Sequence, residues 1–75
     1  MEEFAVILVE STNYAMRLEH LLAMDGVPSK LMPVPRFLSS ACGNCLRLDK
    51  QDIEPALAVI AKNHIQNTSI EIVQM

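Results

Sequence analysis

The run Phe4-Ala5-Val6-Ile7-Leu8-Val9 is the strongest constraint on how this chain can fold. Apolar residues in unbroken succession, rich in β-branched side chains, leave no polar face to turn to water. Such a run fits a strand covered on both faces, and so a strand at the centre of a sheet. It is too short to span a bilayer, and no membrane partner is expected.

The following segments supply the rest of a small sheet domain. Glu10 ends the run, and Ser11, Thr12 or Asn13 can each cap a helix by accepting an orphan backbone N–H. That helix is expected to reach about Met24. Tyr14, Leu18, Leu21 and Leu22 fall at helical spacing on one face, while Arg17 and Glu19 point away. Gly26 can take the left-handed conformation that closes a helix, and Pro28 follows. Ser29 to Val34 reads as a second strand. Pro33 lies inside it and cannot donate to a ladder, which places the strand at a sheet edge. Asn44 to Leu48 reads as a third strand, with Leu46 and Leu48 facing the opposite side from Cys45 and Arg47.

After a polar turn from Asp49 to Asp52, the second helix is capped at Asp52, so that Pro55 falls in its first turn. Ile53, Leu57, Ile60 and Ala61 are expected to form its buried stripe, and Asn63-His64 or Asn67 to close it. Ser69 to Val73 reads as a last strand, with Ile70 and Ile72 on one face. The order is strand, helix, strand, strand, helix, strand. That is the split βαβ pattern: one α+β, ferredoxin-like domain over residues 1–75, with two helices on one face of an antiparallel sheet. The other face is expected to be bare unless something packs on it.

Composition narrows the function. A chain of 75 residues buries only about 60% of its unfolded surface, so outside support from a disulfide, a metal or a partner is common. Two cysteines are too few for a disulfide framework. The opening Met1-Glu2-Glu3 is acidic where a secretory signal would be basic. A cytoplasmic location with reduced thiols is therefore expected. A net charge of −3 with 6 basic residues argues against a nucleic-acid partner, and the few aromatic residues offer no stacking platform. The apolar fraction of 51% points to self-association, and a homodimer through the open sheet face is expected. The methionines at 16, 24 and 32 read as core filler, and the scattered acidic residues as solvated faces.

Chemistry concentrates in Pro35-Arg36-Phe37-Leu38-Ser39-Ser40-Ala41-Cys42-Gly43-Asn44-Cys45-Leu46-Arg47-Leu48. Cys42 falls in the connection between the second and third strands. Gly43 lets the backbone turn sharply beside it. Arg36 and Arg47 flank the loop, and a nearby positive charge favours thiolate over thiol. These features point to a nucleophilic or sulfur-carrying Cys42; the bland alternative is a small apolar filler in a loop. Ser39 and Ser40 can donate to an anion or to the thiolate, or simply satisfy loop backbone groups.

Cys42 and Cys45 form a C-x-x-C, but a strand follows where a thioredoxin-type site needs a helix. A zinc site would need two more ligands, and His20 and His64 lie on different helices. Neither a metal nor another cofactor is expected. A reversible disulfide with Cys45 as resolving thiol remains open beside the reading that Cys45 merely occupies an outward-facing strand position. No serine–histidine–acid set is evident, so a carrier or binding protein is favoured over an enzyme.

The ordered set Pro35-Arg36, Ser39-Ser40, Cys42-Gly43 and Leu46-Arg47 resembles the signature of a family of short bacterial and archaeal proteins described as selenium/sulfur carrier protein-like. The resemblance covers nearly the whole chain. It implies a cysteine that carries sulfur or selenium as a persulfide-type adduct, which falls on Cys42, with donor and acceptor proteins as partners. Arg36 and Arg47 fall in the matching arginine positions. Phe37-Leu38 departs from a more polar or β-branched pair, and Cys45 stands where a small residue such as alanine is usual. A thiol there would discharge a persulfide or make a redox switch. The other readings are a module that dimerises and binds a small anion or protein partner, and a Cys42–Cys45 thiol–disulfide sensor.

Overall fold

The first apolar run forms β1 (Glu3–Leu8), and it lies inside the sheet as its composition demands. The computed structural model describes residues 3–38, 43–65 and 68–74. The remaining elements are α1 (Thr12–Met24), β2 (Lys30–Pro33), β3 (Asn44–Asp49), a 3-10 turn over Lys50–Asp52, α2 (Ile53–Lys62) and β4 (Ser69–Gln74). The strands form one antiparallel sheet in the order β2-β3-β1-β4. This is the βαββαβ, ferredoxin-like α+β architecture. Ala5, Val6 and Ile7 are all fully buried, so β1 is covered on both faces.

The main core lies between sheet and helices. Ala5, Ile7, Leu46 and Leu48 meet Ala15, Leu18 and Leu22 of α1 and Ala56, Val59 and Ile60 of α2. Both helical stripes differ from the expected ones. Tyr14 is exposed, and Ala15 takes the inward place. On α2, Leu57 and Ala61 are exposed, while Ala56 and Val59 join Ile60 inside. The reason is angular: Ala15, Leu18 and Leu22 share one face at i, i+3 and i+7, and Ala56, Val59 and Ile60 at i, i+3 and i+4, so position around the helix, not bulk, decides which residue points inward. Met16 and Met24 are also exposed rather than core filler; Met32 packs against a second, smaller cluster.

The far face, expected to be bare unless something packed on it, carries a second cluster. Val6, Cys45 and Val73 are buried there, with Phe4, Leu8, Met32, Val34 and Leu38 packed around them. Leu38 belongs to the segment after β2, so the chain folds part of its own connection onto this face.

Both helices close in the same way. Asp25 ends α1, and Gly26 follows at φ +76°. Gly26 N donates to Ala23 O at 3.1 Å and Val27 N to Leu22 O at 2.8 Å. Asn63 ends α2, and His64 follows at φ 56°. His64 N donates to Ala61 O at 3.2 Å and Ile65 N to Ile60 O at 3.1 Å. These paired bonds are Schellman closures, each with a buried apolar residue just beyond. At its start, α1 is capped as expected: Ser11 Oγ accepts from Tyr14 N at 3.4 Å. Asp52 precedes α2 as expected but makes no side-chain cap bond.

A residue with a Cβ in the left-handed region costs roughly 1–2 kcal/mol where glycine costs little. His64→Gly is therefore expected to stabilise the domain by about 0.5–1 kcal/mol once the greater freedom of glycine in the unfolded chain is subtracted. The check is a rise of a few degrees in thermal midpoint, with Gly26→Ala falling by a similar amount or more.

The two sheet edges differ. Val34 N donates to Gly43 O at 3.0 Å across the β2–β3 pair. By the antiparallel alternation, Pro33 and Leu31 then turn their nitrogens outward. Pro33 has no N–H to offer. Leu31 N donates to Glu19 Oε2 at 3.2 Å, so Glu19 is not a solvated-face residue as expected but a cap on the strand edge. At the other end of the sheet, Lys50 Nζ lies 2.9 Å from Glu3 Oε1. This hydrogen bond and charge hold the Glu3 carboxyl below its ordinary 4.5.

Candidate functional site: the connection between β2 and β3

The connection is anchored at both of its described flanks. On the entering side, Leu38 N donates to Pro35 O at 3.0 Å, closing a tight turn over Pro35–Leu38. Arg36 and Phe37 at its tip are exposed, while Leu38 tucks into the smaller cluster. On the leaving side, Gly43 O accepts from Val34 N, and Asn44 Nδ2 donates to Thr12 Oγ1 at 3.2 Å. The base of the connection is thus tied to the first turn of α1. No sequence signal marked the Thr12–Asn44 tie. The apolar pair Phe37-Leu38 signalled that one of the two would be covered, but not that it would be Leu38.

Ser39, Ser40 and Cys42 lie outside the described residues. Gly43 is exposed, its φ is not in the left-handed region, and none of the described residues lies within 4 Å of where a Cβ would sit. The chain bends at Gly43, and among the described residues neither a left-handed φ nor crowding demands glycine there.

Cys45 is fully buried on the face away from the helices. Its Sγ lies 3.9 Å from Pro33 O, a weak thiol contact. The position faces away from the helices as the alternation requires, yet it is enclosed rather than surface-facing. Arg47 lies on the same face, two positions further along β3. Its guanidinium carbon sits 4.8 Å from the centroid of the Phe4 ring, a cation–π stack.

Among the described residues, no group of three or more His, Cys, Asp or Glu side chains could hold a metal ion. His20 is exposed on α1, and His64 ends α2. No helix among the described residues is long and apolar enough to cross a membrane.

The described residues define a small ferredoxin-like domain that encloses Cys45 and anchors both flanks of its β2–β3 connection. The chain belongs to the family described as "Putative Se/S carrier protein-like", whose model matches residues 4–71. None of the curated proteins matches it.

Proposed function

We propose that this protein carries sulfur or selenium on Cys42 as a persulfide-type adduct. The observation that carries the assignment is the full burial of Cys45. A side chain packed to the density of a protein interior has no room for an added sulfur atom, which leaves Cys42 as the thiol to be loaded. Family membership supports the same reading.

The exchange is a transfer between thiolates. The Cys42 thiolate attacks the outer sulfur of a donor persulfide, and the donor's S–S bond breaks. The donor leaves as a thiolate, and Cys42 now bears the S–SH group. An acceptor nucleophile repeats the step on that outer sulfur and releases the Cys42 thiolate, so no net oxidation or reduction occurs. A selenium atom in the outer position follows the same path.

Arg36, exposed in its turn, supplies positive charge to the anionic adduct, and Arg47, stacked on Phe4, is the second cation flanking the loop in sequence. Ser39 and Ser40 supply hydrogen-bond donors. Gly43, with no described residue on its Cβ side, adds no side chain in the way of a donor's backbone.

The test is intact mass after incubation with a cysteine desulfurase and cysteine, before and after dithiothreitol. A reducible gain of one sulfur atom on Cys42 is expected. Loss of two hydrogens would assign a Cys42–Cys45 disulfide and a redox role instead. An unchanged mass would leave an interaction module that binds an anion or a protein.

A further inference from the structure

We infer that β4 is a pairing edge, and that its partner is β4 of a second copy of this chain, with Ile72 on the two-fold axis. The β2 edge is guarded twice, by Pro33 and by the Glu19–Leu31 bond. The β4 edge has neither device. Its six residues, Ser69 to Gln74, include no proline and one charge. Among the described residues, no group outside β1 hydrogen-bonds to its backbone. A regular edge of this kind presents alternate N–H and C=O groups to whatever strand meets it. Ile72, 46% exposed, stands at that edge on the helix side of the sheet.

The sequence of β4 is self-complementary in one register. A two-fold perpendicular to the sheet pairs antiparallel strands and keeps all the helices on one side. Two such registers use most of the strand. Centring on Glu71 sets two carboxylates directly opposite each other, which is unfavourable. Centring on Ile72 sets Ile72 against Ile72 of the second copy, Glu71 against Val73, and Ile70 against Gln74. This register separates the carboxylates and covers the exposed isoleucines with each other. The product is a continuous eight-stranded sheet. The centre of the helix-free face, which the composition alone suggested as the contact, is already occupied by the chain's own Val34, Met32 and Leu38.

An edge pair of this length buries less than the roughly 1,600 Å² of a standard interface, so association is concentration-dependent. Sedimentation between about 10 and about 500 μM is the test. The mass of the wild-type chain is expected to rise from 8.4 kDa towards twice that value, while Ile72→Lys stays at 8.4 kDa with an unchanged circular dichroism spectrum. In a Cys42→Ser background, Ile72→Cys is expected to form an intermolecular disulfide on treatment with diamide. Gln74→Cys is not, because in this register the two copies of residue 74 stand about 13 Å apart. A wild-type chain that remains monomeric at the highest concentration overturns the inference, as does dimerisation that Ile72→Lys leaves unchanged. Equal cross-linking at 72 and 74 overturns the register.

Discussion

Cys42→Ser is expected to end sulfur loading completely, from one atom per chain to none, with the fold retained. The exchange requires a nucleophile that is also a good leaving group. A thiolate is both at neutral pH, whereas the serine hydroxyl stays protonated and cannot form the S–S bond at all. Serine differs from cysteine by one atom, so the thermal midpoint should barely move. Cys45→Ala supplies the contrasting result. It removes a fully buried sulfur and is expected to cost about 1–2 kcal/mol through the small void it leaves. Its loading should equal that of the wild type. Loading that persisted in Cys42→Ser and vanished in Cys45→Ala would exchange the two roles. Loss of a redox response in Cys45→Ala, without any loading in the wild type, would favour the disulfide sensor.

Leu22→Ala should remove a large part of the folding free energy. Leu22 is fully buried between α1 and the sheet, and its carbonyl also accepts the Val27 N–H that closes the helix. Truncating a buried leucine costs about 2–5 kcal/mol, the spread reflecting how far the site collapses. A chain of this length is expected to have only about 4–11 kcal/mol in all. At roughly 4–8 °C per kcal/mol, the midpoint should fall by about 10 °C or more, and the variant stands close to the threshold of folding. Met24→Ala, two residues on in the same helix, truncates a side chain that is 70% exposed and should change stability by less than about 0.5 kcal/mol. Equal losses from the two variants would show that burial is not what holds this helix in place.

The element order and the place of each strand were legible because each rested on a covalent constraint or a long pattern. The unbroken run at 4–9 put β1 at the centre. Pro33 put β2 at an edge. Gly26 with Pro28 ended α1, and Pro55 fixed the start of α2. What the sequence misled on was which small residues face inward. Ala15 and Ala56 gave no signal, since alanine is compatible with both sides, while Tyr14 and Leu57 gave a false one. The end of α2 at Asn63-His64 was one of the two places expected, but its Schellman form left no mark because His64 does in α2 what glycine does in α1. At the candidate site, the sequence singled out the cysteines, arginines and glycine. It could not show that Cys45 is enclosed, because the cluster around it draws on Phe4, Leu8, Met32, Val34 and Leu38, which are brought together only by the fold. Glu19 looked like one more solvated carboxylate, since its partner is a backbone nitrogen and leaves no mark in residue identity.

That carboxylate, together with Pro33, has a consequence for assembly. A sheet with two receptive edges is a monomer for polymerisation: each strand added exposes another receptive edge, and growth has no natural stop. Here one end of the sheet is terminated chemically, by an imide nitrogen without a hydrogen and by an acceptor already in place on the only outward N–H described beside it. Whatever meets β4 therefore inherits a blocked far side, and end-to-end stacking of these domains into a fibre is interrupted at every copy.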